Sequence, residues 1–167
     1  IATSTASVVD RVADTGTRVA DTRKTTPGLR ALEKYAVRCG GGANHRFGLH
    51  DAVIIKDNHL VVAGSVGAAI SAVRKSIGHT VSITVEVDRL DQIDEAIEGG
   101  VDVILIDNLR GDELRRAVEM VGGRAMTEAS GGITPDTAAE MAAAGVDIIS
   151  LGWITHSAAR LDVALDL

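Results

Sequence analysis

The chain has 167 residues, of which 46% are hydrophobic, 24% charged and only 2% aromatic, with a formal net charge of -6. That length suits one compact domain with a real core and is short for two. The acidic balance argues against a general nucleic-acid binder, and the shortage of aromatics argues against a stacking platform, leaving Val, Ile, Leu and Ala to build the core.

A single cysteine, Cys39, cannot close an internal disulfide and fits a reducing compartment, so the cytoplasm is the expected location. No stretch approaches the ~18 consecutive apolar residues of a membrane span, and the amino end lacks the basic-then-apolar order of a secretory signal.

From the amino end, Ala6, Val8, Val9, Val12 and Ala13 fall at helical spacings and Gly16 stops the helix. Residues 1–15 therefore read as a helix leading in from an amino-terminal domain of a longer polypeptide. Arg18 to Asp21 reads as a short strand, Thr22 to Gly28 as a loop, and Pro27 opens a helix with Leu29, Leu32, Ala36 and Val37 on one face. Gly40, Gly41 and Gly42 break that helix, and a long loop holds Asn44, His45 and Arg46.

Ala52 to Ile55 is an uninterrupted apolar run, the pattern of a strand covered on both faces, and it ends at Lys56, Asp57 and Asn58. Helices over Val66–Ser76, Leu90–Ile97, Glu113–Val121 and Asp136–Ala144 then precede strands over Val81–Val87, Val103–Ile106, Arg124–Ala129 and Val146–Leu151. Met126 and Trp153 read as core. The last residues, 158–167, alternate Asp with apolar side chains and could form a strand packing outside the main fold.

Strands alternating with helices imply parallel strands joined by right-handed crossovers. The expected fold is α/β, a parallel (β/α) barrel of TIM type, open or incomplete, with about six βα units. A doubly wound sheet is the competitor. It gathers its ligand groups near one switch point, whereas here nearly every strand ends in charged or glycine residues.

Loops after the strands form the active face of such a barrel, which makes their residues candidates for chemistry. Arg23 and Lys24 set a planar bidentate donor beside a point charge, suited to carboxylates and phosphates. His45 and Arg46 follow the triple glycine, where backbone can approach a ligand. Lys56 emerges from a buried strand and calls for an anionic partner, or could serve as a Schiff-base lysine. Glu86 and Asp107 end neighbouring strands and could face one Mg²⁺ or a pair of sugar hydroxyls. Asn108 is also placed to cap the next helix. Ser130, Gly131 and Gly132, with Thr134 and Pro135 opening the following helix, make a glycine turn suited to anions, and Ser150 with Gly152 repeats the arrangement. His50, His59, His79 and His156 read as ordinary loop or structural histidines.

Taken together, Asp21-Thr-Arg-Lys-Thr-Thr-Pro-Gly28, Asn44-His-Arg46, Ile55-Lys-Asp-Asn-His59, Glu86, Ile106-Asp-Asn108, Ala129-Ser-Gly-Gly-Ile133 and Thr155-His-Ser157 closely resemble the carboxyl-terminal barrel of quinolinate phosphoribosyltransferase, in order and in spacing, over essentially the whole chain. The resemblance implies a Mg²⁺-assisted reaction of quinolinate with phosphoribosyl pyrophosphate, giving nicotinate mononucleotide, pyrophosphate and carbon dioxide. It implies that Arg23, His45, Arg46 and Lys56 grip the two carboxylates of quinolinate with help from Thr22. Lys24 would contact phosphoribosyl pyrophosphate, Glu86 and Asp107 its ribose hydroxyls and metal, and Ser130, Gly131, Gly132 and Gly152 its phosphate. The catalytic residues so implied are Lys24, Lys56, Glu86 and Asp107. It further implies a homodimer or higher even oligomer in which a partner's amino-terminal domain, absent here, covers the barrel mouth and supplies another basic residue. Residues 1–167 alone are expected to be inactive.

Three further readings stay open at this point. A paralogue of the same fold, associated with molybdenum transport, shares the Arg23-Lys24 loop and the His45-Arg46 pair but departs around Lys56 to His59, which are intact here. A Schiff-base aldolase using Lys56 is more distant, and a non-catalytic phosphate-binding barrel would find Glu86 and Asp107 unhelpful.

Overall fold

The computed structural model describes residues 1–166. In its first half α1 spans Ala2–Val12, β1 Arg18–Ala20, α2 Arg30–Cys39, β2 Val53–Ile55, α3 Asp57–Ala63 and α4 Val66–Arg74. There follow β3 at Ile83–Val87, α5 at Asp91–Glu98, β4 at Val103–Asp107, α6 at Gly111–Val121, β5 at Met126–Ser130, α7 at Pro135–Ala143, β6 at Ile148–Ser150 and α8 at Trp153–His156.

All six strands lie in one parallel sheet in the order β1-β6-β5-β4-β3-β2. From β2 to β6 each strand pairs with the next in sequence, and β6 pairs back onto β1. This single direction of winding is that of a TIM-type barrel and excludes the doubly wound alternative, whose strand order reverses at a switch point. Because β1 and β2 remain as edges, the barrel is open. Segment 43–45 lies along the free edge of β1, where Ala43 N–H donates to Val19 O at 2.7 Å and Asp21 N–H to Ala43 O at 3.1 Å.

The two-residue period of a strand decides which side chains face the helices and which face the barrel interior. Ile83, Val85 and Val87 of β3, Ile104 and Ile106 of β4, and Ile149 of β6 join Ile93, Leu114, Ala117 and Met141 of the surrounding helices in the apolar core. The intervening positions turn inward, and Glu86, Leu105 and Glu128 are matched in register across β3, β4 and β5. Asp107 is matched with Ser130 one step nearer the strand ends. The interior of this barrel is therefore lined by acidic and hydroxyl groups at its carboxyl end.

Helix ends follow local rules. Ser65 Oγ accepts the Ala68 N–H at 3.1 Å at the start of α4, and Thr134 caps α7 with Pro135 at its first position. Lys56 occupies the cap position of α3, and its N–H donates to His59 Nδ1 at 2.9 Å, which gives His59 a structural role.

Several sequence expectations need correction. Helix α3 is an element that the sequence reading does not name. In α2 the expected apolar face is split: Val37 is buried, but Leu29 and Leu32 are 44% and 67% exposed while Glu33 and Lys34 are buried, because those charged side chains bond to the neighbouring loops. Only Ile55 of β2 is fully buried, since an edge strand lacks a covered second flank. Met126, at the entry of β5, is exposed rather than core, and Cys39, at the end of α2, is an exposed thiol. Asn108 does not cap α6, whose cap position is Arg110; it adopts a left-handed φ of 60° and donates to Asp107 Oδ2 at 2.6 Å. Residues 158–166 carry no regular secondary structure, and Leu161, Val163 and Leu165 are exposed.

Candidate active site

The carboxyl ends of the strands surround two contiguous cavities. The larger, about 500 Å³, is lined by Lys24, Asp107, Gly131, Gly132, Gly152 and His156 among others. The smaller, about 220 Å³, is lined by Arg23, His45, Arg46, Ile54, Leu105 and Glu128. Thr22, Lys24, Lys56, Glu86, Ser130 and Ser150 belong to both. All twelve site residues proposed from the sequence thus line one or both cavities. A cavity of about 650 Å³ lies elsewhere, between α1, the start of β1 and the Gly41–Asn44 turn. It has no carboxylate among its lining residues and is away from the strand ends, so it is not where the chemistry converges.

The loop after β1 is held by bonds along its length. Thr22 Oγ1 accepts the Lys24 N–H at 3.0 Å, Arg30 donates to Arg23 O at 3.1 Å and to Thr25 Oγ1 at 2.9 Å, and Thr155 Oγ1 donates to Lys24 O at 2.7 Å. Beneath it, Asp21 is fully buried. Its carboxylate accepts from Lys34 Nζ at 2.6 Å, from Asn44 Nδ2 at 2.7 Å and from the His45 N–H at 2.7 Å. Lys34 Nζ also donates to His45 O at 2.9 Å. Asp21 and Lys34 therefore fix the 44–46 segment in place without lining either cavity.

In the smaller cavity Arg46 donates from Nη1 to Ala52 O at 2.9 Å. Burial pushes its guanidinium below the ordinary arginine value, the nearby charge of Arg23 adds to that, and Asp51 acts in the opposite direction. Arg23 Nε and Arg46 Nε are buried without a hydrogen-bond partner, as is Glu128 Oε1. A site with two close, incompletely satisfied guanidiniums is built for a ligand with more than one negative charge.

Where the cavities meet, Lys56 pairs with Glu86, with side chains 46% and 16% exposed. In the larger cavity Asp107 accepts from Ser130 Oγ at 3.0 Å and from Asn108 Nδ2. The 131–133 loop turns through left-handed Gly131, φ 93°. A Cβ on Gly131 would collide with the Asn108 side chain, so only glycine brings this backbone so close to the end of β4. At Gly152 a Cβ would lie 3.0 Å from Lys24 Cδ and 3.2 Å from His156 Nε2. Trp153 Nε1 donates to Ile133 O at 2.8 Å, joining the two glycine loops.

Sequence reasoning left out two residues that the structure places here. Glu128 carries no role in the sequence reading, yet it is 3% exposed on the inner wall of the smaller cavity. His156 was set aside as structural and lines the larger one; its adjacency to Gly152 was the available signal.

Fold and site together define a TIM-type α/β barrel whose strand-end face sets cations on one side against carboxylates and glycine loops on the other. The chain belongs to the quinolinate phosphoribosyl transferase family, of which residues 1–166 match the C-terminal domain. It is 48% identical over 167 residues to a probable nicotinate-nucleotide pyrophosphorylase [carboxylating] of Bacillus subtilis (strain 168), covering 100% of this chain and 58% of that protein. It is 47% identical over 170 residues to the nicotinate-nucleotide pyrophosphorylase [carboxylating] of Mycobacterium leprae (strain TN), covering 100% and 60%. The crystal structure of NadC from Streptococcus pyogenes superposes with a TM-score of 0.90 at 43% identity, covering 93% of this chain and 55% of that one. The chain thus spans less than two thirds of the length of these relatives.

Proposed function

We propose that this chain forms the catalytic barrel of an enzyme that transfers phosphoribosyl from phosphoribosyl pyrophosphate to quinolinate, with decarboxylation, giving nicotinate mononucleotide, pyrophosphate and CO₂ in NAD biosynthesis. The observation that carries this reading is the junction of two unlike compartments, one with two half-buried guanidiniums and one with carboxylates and glycine loops, through Lys24, Lys56 and Glu86. A dicarboxylate acceptor fits the first and a phosphorylated sugar the second.

In this reading Arg23, Arg46 and Lys56, with Thr22 and His45, hold the two carboxylates of quinolinate. Ser130, Gly131, Gly132 and Gly152 hold the sugar phosphate, and Lys24 the pyrophosphate. Glu86 and Asp107 face the ribose. The pyridine nitrogen forms a bond to the anomeric carbon as the bond to pyrophosphate breaks, and the two carboxylates stabilise the positive charge that develops on the ribose. The quaternary nitrogen then accepts electron density at the adjacent carbon, so the carboxylate there leaves as CO₂ and the carbon takes up a proton from solvent. Positioning and electrostatics carry most of the rate enhancement.

Mg²⁺ suits this site as a hard cation shared between carboxylate and phosphate oxygens. Asp107 already accepts from Ser130 and Asn108, so Glu86 and Asp107 would hold the metal through their remaining lone pairs, through water or through the ribose. When bound, it would neutralise charge on the departing pyrophosphate.

The assembly proposed is a homodimer or higher even oligomer in which a partner subunit's amino-terminal domain covers the barrel mouth. Exposed Leu29, Leu32, Tyr35, Phe47, Leu49, Val61 and Val62 on α2, the 47–49 loop and α3 support a covered face there. No helix of the described residues is long and apolar enough to cross a membrane, and a cytoplasmic location is proposed from the single unpaired cysteine. The test is to incubate the full-length protein with quinolinate, phosphoribosyl pyrophosphate and Mg²⁺ and to follow nicotinate mononucleotide. Absence of product, or equal turnover of nicotinate, sinks the assignment; borohydride trapping of a carbonyl substrate on Lys56 would favour an aldolase instead.

A further inference from the structure

The smaller cavity holds a contradiction that its expected ligand does not remove. Among the described residues the buried side-chain polar atoms without a partner are Arg23 Nε, Arg46 Nε and Glu128 Oε1, and all three residues line this one cavity. All three atoms are covered, so they act on a ligand through charge rather than contact: the guanidiniums make one wall attractive to a dianion and the Glu128 carboxylate, 3% exposed, makes another repulsive.

Glu128 is tied to that cavity through His45. The Arg46 N–H donates to His45 Nδ1 at 2.7 Å, which requires a lone pair on that nitrogen and leaves the ring proton on Nε2. Nε2 lies 3.5 Å from Glu128 Oε2, with side chains 16% and 3% exposed. The imidazole thus lies between the backbone of Arg46 and the carboxylate of Glu128, whose Oε1 is covered and has no hydrogen-bond partner. Leu105 separates Glu128 from Glu86 in the strand register, so the two carboxylates bound the cavity from different strands.

We propose that Glu128 is a positioning and specificity residue of the acceptor compartment. It faces His45, and the charge of its buried carboxylate keeps one wall negative, so that a pyridine dicarboxylate enters only with adjacent carboxylates turned together toward Arg23, Arg46 and Lys56. This rests on the acceptor being quinolinate. An isomer with its carboxylates spread around the ring must aim one of them at Glu128, where an anion facing a buried carboxylate is strongly disfavoured.

The experiment uses the full-length protein and calorimetric binding of pyridine-2,3-dicarboxylate and pyridine-2,5-dicarboxylate, to wild type and to Glu128→Gln. Glu128→Gln keeps the shape of the side chain and replaces the repulsive oxygen by a group that can donate. The preference for the 2,3 isomer is expected to narrow by about tenfold in Glu128→Gln, with phosphoribosyl pyrophosphate affinity within about twofold of wild type. An unchanged preference overturns the proposal. Should Glu128→Gln fail to fold, ¹⁵N spectra of the His45 ring in the wild-type protein decide: a proton on Nε2 supports the arrangement, and a neutral ring protonated on Nδ1 overturns it. Failure of the wild type to bind pyridine-2,3-dicarboxylate at all would instead sink the assignment of substrate.

Discussion

Lys34 Nζ lies 2.6 Å from Asp21 Oδ1, an ion pair whose side chains are 4% and 0% exposed. Neither residue touches a cavity, yet Asp21 receives the His45 N–H and Lys34 binds the His45 carbonyl, so the pair sets where His45 and Arg46 sit. Removing one member leaves a buried charge without its counterion. Lys34→Met should therefore destabilise the fold by about 3–5 kcal/mol, measured by urea unfolding, and Asp21→Asn combined with Lys34→Met should recover much of that loss. A loss under about 1 kcal/mol for Lys34→Met would place the pair with solvent-exposed ion pairs.

Arg46 combines a bond to Ala52 O with an unpartnered Nε beside Arg23. Arg46→Ala should raise the KM for quinolinate by about tenfold or more, with the KM for phosphoribosyl pyrophosphate little changed, because a charge-assisted bond to one substrate is lost. Arg46→Lys should not restore the wild-type value, since a point charge cannot reproduce the planar fork. Steady-state kinetics with each substrate varied in turn would separate these outcomes.

At Gly131 the opposite asymmetry is expected. Gly131→Ala would place a methyl group into Asn108 at a φ of 93°, a strain of about 1–3 kcal/mol. The 131–133 loop should shift, weakening phosphoribosyl pyrophosphate while quinolinate binding holds. Equal loss for both substrates would show that the loop serves the whole mouth.

Asp51 provides a pH signature. Desolvation pushes its carboxyl up, but hydrogen bonds from the N–H groups of Phe47, Gly48 and its own residue, together with the charge of His50, hold it below the ordinary carboxylate value. A depressed pKa stabilises the 47–51 loop above the unfolded-state value, and that contribution is lost as pH falls through the folded-state value. Hydrogen exchange of the Phe47 and Gly48 amides, corrected for intrinsic rates, should show protection at neutral pH that declines on acidification below the ordinary carboxylate range. Asp51→Asn should remove the pH dependence.

The strand ends were legible in the sequence because an apolar run stopping at a charged or glycine residue leaves few readings, and the order of those residues carried the family likeness. What escaped was set by tertiary partners. In α2, Leu29 and Leu32 share the spacing of buried Val37, and only the distant Asp21 and the Thr26 amide explain why Lys34 and Glu33 turn in. Helix α3 begins with polar residues that mark the end of a strand in the sequence, and its start shows only where His59 caps the Lys56 amide. Glu128 sits in a strand whose period is plain, but a buried carboxylate gains meaning only beside His45, which another part of the chain delivers.

The open barrel has a mechanical consequence. Arg23 and Lys24 follow β1 and Lys56 follows β2, the two strands that share no ladder, so the cationic walls of the smaller cavity stand on opposite lips of a seam. The Arg46 guanidinium, bonded to Ala52 O just before β2, is one of the few stitches across it. The glycine loops, by contrast, follow β5 and β6, which are hydrogen-bonded neighbours. One half of the site is therefore braced by the sheet's own ladder, while the other spans two edge strands that no ladder joins.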